Sequence, residues 1–413
     1  TATPQTSRAL ELLLKHDRPV PRYTSYPTAA AFRTDVGDLQ LRQQLADVTD
    51  APLSLYVHVP FCRHACWYCG CNRITTQLGS KVVEPYLASL AQELELITEA
   101  MPQRRRLAQM HWGGGTPNYL NREETAQLWE LIRRHFDFDD DLEASIEVNP
   151  EGLSRDAACQ LREAGFESVN VDLICGLPLQ TPERFHRTLE LVQELRPDRI
   201  SLFSFAYLPE QLPMQRKIQA EDLPSQRQRL SMLEDANQLL CANGYDAIGM
   251  DHYALHDDGL AEAAREGRLH RNFQGYTTGG ERDLLGIGPS AISQFRHLFS
   301  QNERDLKAYG AALAQGQLPV ERGLVVTDPQ VLQRRELIRE VMCQFEVQLP
   351  PTGFEQELAD FKRLECDGLV CVSQGADGSI TVRVTTDGRW LIRTIAAVLD
   401  PNQRRQASGS RLI

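Results

Sequence analysis

The 413-residue chain has no uninterrupted apolar run of the roughly 20 residues that a membrane-spanning helix needs. No charged-then-apolar signal segment opens it. A basic surplus is missing too. Lys and Arg number 44 against 56 Asp and Glu, for a formal net charge of -12 and a pI near 5.4. The electrostatic footprint of a nucleic-acid binder is therefore absent. Ten cysteines are too few for a disulfide scaffold. There is no repeat of fixed period beyond a strand–helix rhythm, and no low-complexity segment. These absences favour a cytoplasmic protein without membrane or nucleic-acid partners, with no signature of a dimer, hence a monomer. At 42% hydrophobic, the length suits one large domain and a smaller one.

The cysteines that are present are unevenly placed. Cys62, Cys66, Cys69 and Cys71 crowd into YVHVPFCRHACWYCGC, directly after a strand-like run. Cys159, Cys175, Cys241, Cys343, Cys366 and Cys371 are scattered in mostly apolar surroundings and read as buried thiols. Disulfides, zinc and an iron–sulfur cluster could each explain the crowd. A cytoplasmic setting argues against disulfides. Structural zinc usually draws ligand pairs from two places in the chain, and no second Cys or His pair follows. The C-x3-C-x2-C-x-C spacing lets one loop wrap three thiolates around a cubane, leaving one iron open to a small molecule.

Strand-like segments recur at 54–61, 109–115, 144–150, 168–178, 199–207 and 246–254. Amphipathic helix-like stretches separate most of them. Apolar strands alternating with helices predict an α/β fold with parallel strands, a partial TIM barrel of the (β/α)6 type. In barrels the chemistry sits at the C-terminal strand ends. Those ends carry the Cys loop, GGGTPNYL, Glu147-Val-Asn149-Pro150, Asp172 to Pro178, and Ala206 to Pro209. The expected divisions are an N-terminal helix and arm over 1–50, the barrel over 51–300, and over 301–413 a small, mainly helical C-terminal domain. That last part reads as helix over 328–366, then a two-stranded hairpin, winged-helix-like. The acidic balance favours a lid role for it over DNA binding.

Cys62-x3-Cys66-x2-Cys69 resembles the cluster signature of the radical S-adenosylmethionine enzymes, and GGGTP resembles their glycine-rich strand end. PRYTSYPTA, YVHVPFC, CGCN, HWGGGTP, GLPLQTP, GMDHYA and HRNFQGYTT together resemble the family of oxygen-independent coproporphyrinogen III oxidases (dehydrogenases). The likeness runs from about residue 7 to the C-terminus.

The resemblance implies a [4Fe–4S] cluster on Cys62, Cys66 and Cys69, and two S-adenosylmethionine molecules. It implies a 5′-deoxyadenosyl radical that starts the decarboxylation of two propionates of coproporphyrinogen III, giving protoporphyrinogen IX. An electron donor and an electron acceptor are implied as partners. Cys71 matches a cysteine needed for activity without binding the cluster; on spacing alone it could be a spare ligand. Tyr56, Gly114, Glu147, Ala206 and Ile292 match contacts of the first S-adenosylmethionine. Tyr68, Gly115, Thr116 and Asp172 match contacts of the second. Phe273 and Gln274 match residues required for activity, and Tyr56 is counted with the catalytic set. For a flat macrocycle with four carboxylates, Arg22, Tyr23, Tyr26, His252 and Arg271 are candidate substrate contacts.

Between Glu147-Val-Asn-Pro and Val171-Asp172 the family has an extra strand–helix unit, with a Gly-Val-Gln strand end and a downstream Arg. This chain has no match for it. A break near 165–168, where missing residues have been closed up, is expected. An intact peptide there means a barrel one strand short. Rival functions are the family's haem-chaperone relative, a non-catalytic zinc protein and a different radical enzyme such as a methyltransferase.

Overall fold

The structure, a computed structural model, describes residues 8–47, 49–149, 153–210, 212–280, 282–376 and 378–405. Pro150, at an expected strand end, and Asp377, in the expected hairpin turn, lie outside these residues. Helices α1 (Arg8–His16) and α2 (Asp38–Leu45) flank the Pro- and Tyr-rich arm. Strand β1 (Leu53–Val59) leads into the Cys loop, which the short strands β2 (Phe61–Cys62) and β3 (Ile74–Thr75) close. The alternation continues through α3 (Ser80–Ala100), β4 (Arg106–Gly114), α4 (Arg122–His135), β5 (Asp137–Val148), α5 (Arg155–Glu163), β6 (Ser168–Cys175), α6 (Pro182–Leu195), β7 (Arg199–Ser204) and α7 (Gln226–Ala242). Local chemistry starts these helices. Asn121 and Glu124 form a capping box on α4, Ser225 and Gln228 form one on α7, and Thr181 with Pro182 opens α6.

Beyond α7 come β8 (Tyr245–Gly249), β9 (His252–Leu255), α8 (Gly259–Arg265), β10 (His270–Asn272), β11 (Gly275–Thr277), β12 (Leu284–Ile287), β13 (Ile292–Gln294), β14 (Leu298–Asn302), α9 (Leu306–Ala314) and β15 (Val320–Val325). Eleven strands form one sheet in the order β15-β14-β13-β12-β1-β4-β5-β6-β7-β9-β8. Its centre, from β12 through β7, is six consecutive parallel strands. Among the described residues no pairing joins the two edges, in keeping with a partial barrel. The sheet runs to Val325, past residue 300.

Several expectations need correcting. Residues 246–254 are not a parallel strand. Met250 takes a left-handed φ of 46°, and the segment folds into the hairpin β8–β9, antiparallel to β7. The sixth parallel strand is β12, four residues long. The chain as given runs on through 165–168. Gly165 N–H donates to Arg162 O (3.0 Å), Phe166 N–H to Leu161 O (3.2 Å) and Glu167 N–H to Ala144 O (2.9 Å). Helix α5 is long enough to carry the chain back, so β6 pairs directly with β5 from Ser145↔Ser168 onward. Only Cys175 and Cys343 of the six scattered cysteines are buried. Cys159, Cys241 and Cys366 lie on solvent faces of helices, and Cys371 lies on a sheet-edge strand.

The C-terminal part holds α10 (Pro329–Gln344), β16 (Glu346–Leu349), α11 (Glu355–Cys366), β17 (Val370–Gln374), β18 (Ile380–Val384) and α12 (Ile392–Ala396). Its sheet has three antiparallel strands, β16-β18-β17, not two. Phe345, in the left-handed region at φ 57°, ends α10, so 328–366 is interrupted by a strand. This unit shares the main hydrophobic core. Tyr23 of the arm donates to Asp400 at 3.1 Å, and His16 lies 2.8 Å from Asp367.

Glu93 of α3, 1% exposed, ties that helix to the end of β12, to β14 and to α9. It accepts from Gly288 N–H (2.8 Å), Tyr309 O–H (2.5 Å) and Asn302 Nδ2–H (2.6 Å). Burial pushes its carboxyl up to about 7 despite those donors. The unfolded chain releases this proton near 4.5, so the folded state holds more protons between the two values. Stability from this group is full below about 4.5 and falls as pH rises to about 7. Glu93→Gln is expected to flatten that part of the Tm–pH curve. An unchanged slope in thermal melts would show that the carboxyl titrates normally.

Candidate active site

The site is built on the C-terminal ends of β1 and β4, where the backbones come too close for side chains. A Cβ on Gly113 would sit 2.6 Å from Glu147 Oε2, and one on Gly115 would meet the Pro60–Phe61 backbone at 2.8 Å. Gly114 has φ +110°, and its Cβ would fall 2.6 Å from the His58 ring. Glycine is therefore required sterically at Gly115, where the clash is with backbone, and conformationally at Gly114, while a Cβ at Gly113 would displace the end of the Glu147 side chain. The gain is a direct staple. Gly115 N–H donates to Val59 O (2.8 Å), and Thr116 N–H donates to Phe61 O (2.9 Å). The Thr116 hydroxyl lies 3.3 Å from Cys62 Sγ.

The Cys loop is closed at its base by Ile74 N–H to Pro60 O (2.7 Å) and Thr76 N–H to Cys62 O (2.9 Å). Cys66 O accepts from Cys69 N–H (3.3 Å) and from Arg73 Nη2–H (3.2 Å). Gln215, fully buried, donates to Trp67 O (2.9 Å) and Ala206 O (3.1 Å) and accepts from Leu208 N–H (2.6 Å). It thereby ties the loop to the end of β7. Sequence reasoning had no signal for Gln215, which stands in an unremarked LPMQRK stretch. His111 was also missed as a site residue, although its motif was noted.

Electrostatics separates the thiols. A hydrogen bond from the Cys71 thiol lowers Cys69 to about 6, aided by Arg73 against the opposing effect of burial. The same contact pushes Cys71 up, with burial and the negative charges of Cys69, Glu147 and Asp172 adding to it. Burial raises Cys62. Among the described residues no three His, Cys, Asp or Glu side chains gather tightly enough for a single metal ion. A cubane spreads its three thiolate ligands over separate irons, and three adjoining thiols on one loop, one of them already acidic, suit that group.

Two carboxylates face this loop. Glu147 lies 3.2 Å from His111 Nε2. Burial would raise it, but His111 and the Gly114 N–H hold it below its usual value. The His111 Nδ1 is 2.7 Å from the Ser145 hydroxyl, and its ring stacks on Tyr56 at 6.1 Å. Asp172 is pushed well up by burial and by Glu147, against donors from Ser201 and Asn170. Tyr68 packs beside Cys66 and Asp172. A pair of half-buried, mutually repelling carboxylates fits a cationic group such as a sulfonium or ammonium. Thus Tyr56, Tyr68, Cys66, Cys69, Cys71, Glu147 and Asp172 come together.

A cavity of about 220 Å³ adjoins Glu147 and is lined by Arg22, His252, Arg271, Phe273 and Gln274, with His111 and Asn170. Arg22 pairs with Asp251 and lies over Phe203 at 4.8 Å. Burial would raise Asp251, but Arg22, His252 and Arg271 hold it far below the usual range. Phe273 packs between Phe32 and Phe299, and Ile292 joins that cluster. Tyr23 and Tyr26 do not reach this cavity. They are buried against the C-terminal part and face Asp400.

A run of parallel strands whose first end carries three thiols stapled to a glycine strand end defines a radical S-adenosylmethionine protein. The model of the Radical SAM superfamily matches residues 56–196. Oxygen-independent coproporphyrinogen III oxidase of Escherichia coli (strain K12) is 40% identical, over 96% of this chain and 96% of the relative. The enzyme of the same name from Synechocystis sp. is 38% identical over the full length of both. The solved structure of coproporphyrinogen III oxidase from Escherichia coli, described as a radical SAM enzyme, covers 92% of this chain and 97% of its own at a TM-score of 0.82. This chain belongs to the oxygen-independent coproporphyrinogen III oxidase family. Membership implies a [4Fe–4S] cluster and S-adenosylmethionine. The alignment with the Synechocystis relative spans 471 positions against 413 residues here. About 58 aligned positions therefore have no residue of this chain opposite them, enough for one strand–helix unit.

Gly114→Ala is expected to destabilise the fold by at least about 1–3 kcal/mol from backbone strain alone, before the His58 clash. Gly70→Ala, with nothing within 4 Å of its Cβ, should stay within about 0.5 kcal/mol of the parent. Denaturant melts of the two variants check this; equal effects would remove the steric argument.

Proposed function

We propose that this chain oxidatively decarboxylates two propionates of coproporphyrinogen III to vinyl groups, giving protoporphyrinogen IX in haem synthesis. The observation that carries the reading is one cavity in which Arg22 and Arg271 face the same space as Glu147, beside the thiol loop. It unites carboxylate recognition with the place where a cofactor would sit. An electron donor and an electron acceptor are partners of this reaction. The reading includes a monomer working in the cytoplasm, with the C-terminal part closing over the site as a lid. No helix among the described residues is long and apolar enough to cross a membrane.

Cys62, Cys66 and Cys69 would hold the cluster, with Cys71 held protonated beside them. When bound, the cluster and S-adenosylmethionine would supply the radical hydrogen-abstraction chemistry that starts loss of CO2 from a propionate. Glu147, oriented by His111, would take the amino or ribose groups of S-adenosylmethionine, with Tyr56, Gly114, Ala206 and Ile292 completing that site. Tyr68, Gly115, Thr116 and Asp172 are the candidates for a second molecule, for which the missing strand end leaves fewer contacts. Gln274, whose buried Nε2 meets no partner among the described residues, would reach the substrate from the cavity wall. Phe273 would hold that wall in place. Arg22 and Arg271 would receive carboxylates, and Phe203 and Tyr276 already pack against these guanidinium groups.

The test is anaerobic turnover of the reconstituted protein with S-adenosylmethionine, reductant and coproporphyrinogen III. Protoporphyrinogen IX and 5′-deoxyadenosine are expected together, and Cys62→Ala should abolish both. Deoxyadenosine without porphyrinogen product would contradict the reading and favour the haem chaperone or another substrate.

A further inference from the structure

A second cavity, of about 360 Å³, lies between the arm, β10, β13 and α10. Thr24 and Arg271 line both cavities, so the two share a wall. The second is lined by arginines whose bonds are incomplete. Arg271 is 8% exposed, and its Nε and Nη1 meet no hydrogen-bond partner among the described residues. Only its Nη2 makes a hydrogen bond among the described residues, a long 3.5 Å to Arg22 O, while Tyr276 packs against the group. Arg335 of α10 donates through Nε to Tyr26 O (2.7 Å) and through Nη1 to Arg296 O (2.8 Å). Its buried Nη2 is left without a partner among the described residues.

Two guanidinium groups that carry unmet, buried N–H donors thus line one cavity. Burying such donors without an acceptor is costly, and a carboxylate satisfies them in pairs. The exposed Arg282 and Arg296 also line this cavity. Of its acidic residues, Glu336 is already held by Arg339 at 2.8 Å, and Asp283 lies beside Arg105. The cavity therefore presents net positive charge in a chain whose overall charge is -12.

We infer that this cavity seats a carboxylate of the substrate that is not decarboxylated. The inference rests on the function proposed above. Coproporphyrinogen III has four propionates; two lose CO2 and two remain. The first cavity adjoins the cofactor residues and takes a reacting propionate, while Arg271 and Arg335 clamp a retained one behind the shared wall. The clamp would set which propionates face the radical, because a vinyl or methyl group cannot replace a carboxylate between two guanidinium groups.

The test is a fluorescence titration with coproporphyrin III, its tetramethyl ester and inorganic phosphate against wild type, Arg335→Gln and Arg296→Glu. Arg335→Gln should weaken coproporphyrin III about tenfold or more, the scale of one lost charge-assisted hydrogen bond. Arg296→Glu should weaken it severalfold, and neither variant should change the ester. Arg335 also anchors the arm, so the exposed Arg296→Glu decides the matter if Arg335→Gln fails to fold. Wild-type affinity in the folded variants overturns the inference. So does phosphate binding lost in the variants while coproporphyrin III still binds, which would mark a site for a free anion. A wild type that converts coproporphyrinogen III while the variants bind normally defeats this inference alone. A wild type that neither binds nor converts it defeats the proposed function with it.

Discussion

The approach of the β4 end to the β1 end is the constraint on which the site depends. Parallel pairing of Leu53–Val59 with Leu107–Gly114 brings Gly113, Gly114 and Gly115 against Glu147, His58 and the Pro60–Phe61 backbone. A side chain at Gly115 would meet that backbone, and one at Gly113 or Gly114 would displace Glu147 or the His58 ring. Because none is present, Val59 O and Phe61 O accept directly from the glycine loop, and the Cys loop leaves β1 at a fixed angle. Gln215 then fixes the far side of the same loop to the end of β7. The thiols are thus held from both ends by backbone carbonyls, without any disulfide.

Charge is distributed around this frame in two zones. Near the thiols the half-buried groups are acidic: burial, and then the charge of Glu147, drive Asp172 up. Toward the arm the groups are cationic: the buried Arg271 with the half-buried Arg22 and Arg335, Asp251 taking up only part of the charge. Such a division suits a sulfonium-bearing cofactor on one side and a polycarboxylate on the other. The long-range acidic balance is a surface property and says little about either zone.

Much of this was legible in the sequence because it is local. The thiol spacing, the GGG run and the carboxylates at strand ends lie within a few residues of one another, and their chemistry survives without tertiary knowledge. Five of the six parallel strands were readable for the same reason. The sixth, β12, is only four residues, too short to announce itself beside the more strand-like 246–254, whose Met250 turn no periodicity reveals. Gln215 acts through backbone contacts set by the fold, and the Arg335 cavity is assembled from segments more than 300 residues apart. The scattered cysteines misled because apolar neighbours in sequence do not decide which face of a helix a residue occupies. The direct α5–β6 join could not be read either, since strand–helix–strand continues normally across it.

The central claim is that this shortened chain still holds a cluster with an iron open to S-adenosylmethionine. The most direct measurement is electron paramagnetic resonance of the anaerobically reconstituted, reduced protein, with iron and sulfide analysis, before and after adding S-adenosylmethionine. The account predicts a [4Fe–4S] complement of iron and sulfide, a cluster signal that S-adenosylmethionine shifts, and loss of both in Cys66→Ser. Bound zinc, or a cluster whose signal ignores S-adenosylmethionine, would contradict it.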